Sequence, residues 1–245
     1  MLLVIDSMNK TPIISLGRDC TSAYLIRMLY VHNRYHYENA DHAIQVCKQN
    51  NLGLGSNLFD WTYIYNRDNF IRTLANIRST DLFDPSRLQV ITPEKPDTIV
   101  DPKTGIGWHH LFERSPSDQT ILISQIGSQL INVKNKLNYL NNKLINYAES
   151  FCVYLYFDNW SAEQCKNLHR AVKIYRIDDN FRFIYIANNN NQEGIWFFNK
   201  ETLVLSVPFD YHISEASMNA SGSRTDMLMC KLAHAWKLVG KPEAT

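Results

Sequence analysis

The sequence predicts a mixed α and β protein, α+β or α/β in class, with a mixed sheet flanked by helices and a candidate nucleophile at a helix N-terminus. Three observations carry this. Apolar runs of strand length, such as Phe151 to Phe157 and Leu203 to Phe209, are bounded by turn residues. Elsewhere apolar residues recur at spacings of three and four, the mark of a helix with one buried face. No segment repeats at a fixed period, which removes solenoids and propellers.

The elements follow in order. Pro12 to Leu16 is a short apolar run closed by Gly17, which reads as a buried strand ending in a tight turn. Asp19 is placed to cap a helix that starts beside Cys20, and Leu25, Met28 and Leu29 carry it to about Tyr30. A second short helix has Ala43, Val46 and Cys47 on one face and is ended by Gly53 and Gly55. A third, near Asp68 to Ser79, follows Phe59-Asp60-Trp61. Prolines 85, 93, 96 and 102 allow no long helix between them, and one short strand is expected there.

Gly105 to Phe112 reads as a strand carrying His109 and His110, whose side chains point to opposite faces. From Asp118 to Ser150 the apolar stripe Ile123, Ile126, Leu130, Val133, Leu137, Leu140, Leu144 and Tyr147 predicts one long amphipathic helix. That stripe reads as a core-covering face, with homodimerisation through it as the competing reading. Strand Phe151 to Phe157, helix Ser161 to Lys173, strands Phe181 to Ala187, Ile195 to Phe198 and Leu203 to Phe209, and helix Arg224 to Leu238 complete the chain.

A chain of 245 residues with 45% apolar and 12% aromatic content can bury a sizeable core. It is read as one domain, 1–245, with the chemistry-bearing motifs within 13–112 and a C-terminal α/β part at 151–238. Twenty-five basic and 24 acidic residues lie scattered without blocks, so no nucleic-acid or membrane-surface partner is indicated. The five cysteines form no CxxC pair and no signal peptide opens the sequence, so a reducing compartment is expected. The location is then the cytoplasm, or a site reached by export without a cleavable leader, a host cell included. The asparagine-rich composition hints at a bacterial source.

No HExxH or CxxC is present, and no phosphate-loop glycine pattern, so neither a metal nor a cofactor is expected. Nucleophilic chemistry remains. A thiol at a helix N-terminus is helped towards the thiolate by the unpaired amides and the dipole there, and those amides can also receive an oxyanion. Cys20 has that position. Cys47, Cys165 and Cys230 fall on apolar helix faces and Cys152 in an apolar strand, as expected for small buried hydrophobes.

Ile14-Ser15-Leu16-Gly17-x-x-Cys20-x-x-Ala23-Tyr24-x-Ile26-Arg27, then Phe59-Asp60-Trp61, then His110-Leu111-Phe112 occur in this order. Together they resemble the papain-like cysteine peptidases of unknown function found mostly in bacteria, over roughly residues 13–112. Leu58 stands where that family often has Pro, and Leu111 where it often has Asp. The resemblance implies a papain-like catalytic core and a thiol hydrolase acting on a protein or peptide substrate. Cys20 matches the nucleophile and His110 the base. For the orienting acid, Asp158 at the end of an apolar strand is the first choice and Asp60 its rival, while Asp19 and His109 are supporting residues of the site. Two alternatives stay open: an esterase-like cysteine hydrolase using Asp210 and His212, and a catalytically inactive interaction module.

Overall fold

The computed structural model describes residues 12–17, 20–32, 35–36, 38–50, 57–60, 62–91, 98–108, 112–113, 115, 117, 125–146, 151–157, 160–188, 193–208 and 223–239. In chain order its elements are β1 (Ile13–Ser15), α1 (Cys20–Val31), α2 (Ala40–Gln49), β2 (Thr62–Ile64), α3 (Arg67–Ala75), β3 (Gln89–Ile91), β4 (Thr98–Asp101), β5 (Ile106–Trp108), α4 (Ile126–Asn146), β6 (Cys152–Phe157), α5 (Ala162–Arg176), β7 (Phe181–Asn188), β8 (Gly194–Phe197), β9 (Thr202–Val207) and α6 (Ser223–Val239). The expected mixed class holds. The chain forms two compact units, one drawn from Met1–Ser56, Ser150–Asn159 and Asn180–Thr245, the other from Asn57–Glu149 and Trp160–Asp179.

The first unit is built on a five-stranded sheet of order β1-β6-β7-β9-β8. The first four strands are parallel and β8 joins the edge antiparallel to β9, which makes the sheet mixed. The register sets Leu155 beside Ile184 and Ile184 beside Leu203, with Phe157, Ile186 and Leu205 forming the next row. These rows pack with Leu25 and Leu29 of α1, Val46 of α2, and Leu228, Leu232 and Trp236 of α6 in one apolar core. The other face carries a ladder of rings. Tyr156 stacks on Tyr185 at 4.7 Å between centroids and meets Phe183 edge-on at 5.8 Å. Strands apolar on both faces are what a parallel sheet demands, and β6 and β9 are buried along their whole lengths.

The second unit holds a four-stranded antiparallel sheet of order β2-β5-β4-β3. Its strands are three or four residues long, so their shape is set by turns more than by an apolar run. At the end of β4 the wholly buried Asp101 accepts the backbone N–H of Lys103 at 2.9 Å through one oxygen. The other oxygen accepts Nε and Nη2 of Arg87 at 2.9 and 2.8 Å, and this pairing holds the guanidinium above its ordinary pKa. Gly105 then reverses the chain with φ +73°, and a Cβ there would meet the carbonyl oxygen of Asn66 and lie 2.6 Å from the nitrogen of Phe70.

In the same unit α3 packs on α5. Asn66 caps α3 by accepting the Asn69 N–H at 3.0 Å, and Ser161 with Gln164 forms a capping box on α5. Phe70 lies edge-on to Phe59 and to Trp160, whose ring is covered by the Arg67 guanidinium at 5.6 Å. On α4, Val133, Leu137, Leu140 and Leu144 are buried while Ile126 and Leu130 are partly exposed, so the later part of the expected stripe is a covered face; Ile123 and Tyr147 lie outside the described residues.

Two departures from expectation concern this unit. β2 falls where only a connection was expected, and the proline-punctuated stretch holds two strands, β3 and β4, instead of one. Strands of three or four residues are too short for a period of two to register above composition; their pairing partners define them.

Candidate active site

The junction of β1 and α1 is built from the sequence Ser15-Leu16-Gly17-Arg18-Asp19-Cys20. β1 lies at the edge of the parallel sheet beside β6, and the Leu16 N–H donates to the carbonyl of Leu155 at 2.9 Å, one residue beyond the strand. The chain then leaves the sheet. Gly17 takes φ +92°, a left-handed conformation in which a side chain would be strained. Its N–H donates to Ser15 Oγ at 3.1 Å.

Hydroxyls close the junction. Ser15 Oγ lies 2.6 Å from Ser22 Oγ, and Ser22 Oγ donates to the Gly17 carbonyl at 3.5 Å. Ser15, Thr21 and Ser22 are all fully buried. Strand end, turn and first helical turn are therefore tied by side-chain bonds as well as by the backbone. α1 starts at Cys20, so this residue's backbone belongs to the turn whose amides lack partners within the helix. Later in α1 the buried Arg27 donates to the Ala23 carbonyl at 3.0 Å.

The junction also sits at a particular edge. Because β1, β6, β7 and β9 are parallel, all four end on the same side of the sheet. That side is where open parallel sheets hold ligands. β6, whose last residue Phe157 precedes Asp158 in sequence, is the immediate neighbour of β1; β9 lies three positions away. At about 4.8 Å per strand, those separations are roughly 5 and 14 Å.

The side chain of Cys20, and residues Asp19, Trp61, His109, His110, Asp158, Asp210 and His212, lie outside the described residues. Asp60 lies within them. It is fully buried, and its Oδ2 accepts the Asn57 N–H at 2.8 Å while its own N–H donates to the Asn57 carbonyl at 3.3 Å. This carboxylate braces the turn that leads into β2. Among the described residues no group of three or more His, Cys, Asp and Glu side chains is placed to hold a metal ion.

The other cysteines divide unevenly. Cys47, Cys152 and Cys165 are buried, as expected. Cys47 donates to the Arg27 carbonyl at 3.5 Å, and burial pushes its thiol up to about 11, with the Arg27 charge pulling the other way. Cys230 corrects the sequence expectation: it is exposed. The buried stripe of α6 runs through Thr225, Leu228, Met229, Leu232, Ala235, Trp236 and Val239, and position 230 is turned about 100° from 229. Instead its Sγ lies 3.8 Å from Nε2 of His32, a contact between residues 198 apart in sequence that no local pattern announces.

No protein-family model, curated protein or solved structure matches the chain.

Proposed function

We propose that the chain is a thiol hydrolase of papain-like chemistry that cleaves peptide, isopeptide or other amide bonds, with Cys20 as nucleophile, His110 as base and Asp158 as orienting acid. The observation that supports this reading is the strand–Gly–helix junction, which opens α1 at Cys20 on the ligand-binding edge of a parallel sheet. There, first-turn amides favour a thiolate and can receive an oxyanion.

In this mechanism His110 takes the thiol proton as sulfur attacks the substrate carbonyl. The C–N bond of the tetrahedral intermediate breaks, the leaving amine takes the proton from His110, and water hydrolyses the thioester. Asp158 is preferred as the orienting acid because it follows the strand next to β1.

The parallel sheet also favours a second reading, the esterase-like one, in which Asp210 and His212 follow β9. The three-strand separation between β1 and β9 weighs against it. One experiment divides the two. A thiol-directed peptide electrophile should label Cys20, and His110→Ala should slow labelling by roughly a hundredfold or more while His212→Ala leaves it unchanged. Reversal of those two effects would establish the esterase-like reading; no labelling of Cys20 in the folded protein would overturn both.

A further inference from the structure

We infer that Cys230 and His32 form a second reactive-thiol site, in which low-molecular-weight disulfides cap the Cys230 sulfur with the assistance of the His32 imidazole.

The site is assembled by packing. α1 ends at Val31, and His32 continues its last turn by donating its N–H to the Met28 carbonyl at 2.8 Å. The end of α1 rests on α6, where Tyr30 meets Trp236 edge-on at 5.2 Å. This brings His32 Nε2 to 3.8 Å from Cys230 Sγ, within reach of a sulfur hydrogen bond. Cys230 is exposed and His32 half-buried, so a small molecule can reach the sulfur while the ring is held.

The chemistry fits the pair. Burial lowers the pKa of His32, with Asp226 opposing it, so the neutral ring prevails at neutral pH. In the Nδ1-protonated tautomer, Nε2 then faces the thiol as an acceptor. Asp226 lies one helical turn before Cys230 on α6, four residues upstream.

Attack on a disulfide R–S–S–R forms the bond from Sγ to one sulfur and breaks the S–S bond. The thiol proton passes to Nε2 and then to the departing thiolate, giving Cys230–S–S–R and R–SH. Cys230 is oxidised and the departing sulfur reduced, so electrons and protons balance. The other thiols among the described residues, Cys47, Cys152 and Cys165, are buried and so closed to an exposed mixed disulfide. The product is therefore a cap that persists until an external thiol removes it. A metal is the less favoured occupant, since a Cys–His pair falls short of the three protein donors of a zinc site.

This site is separate from the one proposed around Cys20, which opens the opposite end of the 12-residue α1, about 18 Å away. The test uses the full chain, glutathione disulfide as probe, and peptide mass mapping. The adduct is expected on Cys230, absent in Cys230→Ser, and formed at least about fivefold faster in the folded protein than in the urea-unfolded chain, where the pair is separated. His32→Gln should remove that advantage, and free imidazole should restore it in His32→Ala. A folded rate no higher than the unfolded one, an equal rate in the His32 variants, or an adduct confined to other cysteines would overturn the inference. An adduct on Cys20 formed alongside the one on Cys230 would bear only on the hydrolase reading.

Discussion

The two sheets are held in shape by different means. The five-stranded sheet joins segments as far apart as Ile13–Ser15 and Thr202–Val207, and its rows of Leu155, Ile184 and Leu203 are specified by apolar burial. The four-stranded sheet lies within residues 62–108, and its geometry rests on two side chains that bond the backbone, Asp60 at the entry to β2 and Asp101 at the exit of β4, and on the positive φ of Gly105 between β4 and β5. Non-directional burial suits long strands, where many weak contacts accumulate. Directional polar bonds suit strands too short to bury much.

The comparison can be broken by substitution. The largest expected effect is at Ile184, fully buried in the middle strand of the parallel sheet; Ile184→Ala should cost about 4 kcal/mol in urea unfolding, because it removes buried methyl groups and leaves a cavity. A cost below about 1 kcal/mol would show that burial is not what specifies this sheet.

Asp101→Ala should cost less, about 2 kcal/mol, by removing the buried carboxylate from the Arg87 guanidinium, which keeps Asp84 and the Asp81 carbonyl, and from the Lys103 amide. Hydrogen exchange should localise the loss to the turn between β4 and β5. Protection there equal to that of the unaltered chain would mean that the polar brace is dispensable.

The smallest effect concerns pH. Cys47 in the core of the first unit has its thiol raised from 9.0 to about 11 in the folded protein. Between those values the unfolded chain has lost the proton that the folded one keeps, so this group's stabilisation is complete below about pH 9 and is lost as pH rises through 11. Stability plotted against pH should therefore fall less steeply over that window in Cys47→Ala than in the unaltered chain. Equal slopes would show that the thiol is not held protonated by burial.

Much of the first unit can be read from the sequence, and the reason is local. β1, α1, α2, β6, β7, β9 and α6 each carry a run or period that spans their own length, and Gly17 marks the turn that Cys20 follows. The second unit was less legible. β2 and β3 are three residues each, and a partly apolar triplet such as Thr62-Tyr63-Ile64 has no pattern of its own until β5 pairs with it. For the candidate site, the position of Cys20 at a strand–turn–helix junction was readable. The Ser15–Ser22 bond that ties the junction was not, because a hydroxyl seven residues away shows its partner only when strand and helix are packed.

Cysteine gives the sharpest case. Helical spacing placed Cys47 and Cys165 in the core and an apolar strand placed Cys152 there, since burial of a small apolar group follows from the face on which it falls. The same spacing placed Cys230 there too, wrongly, because that residue lies off the buried stripe of α6, and it did not predict His32 beside it. Sequence alone determined the periods, the breaks and the residues able to carry chemistry, because those depend on neighbours a few positions apart. Tertiary structure decided strand order, register and which thiol meets which imidazole. Those contacts join segments up to 198 residues apart, and only the packing of α1 and α6 onto one sheet brings them together.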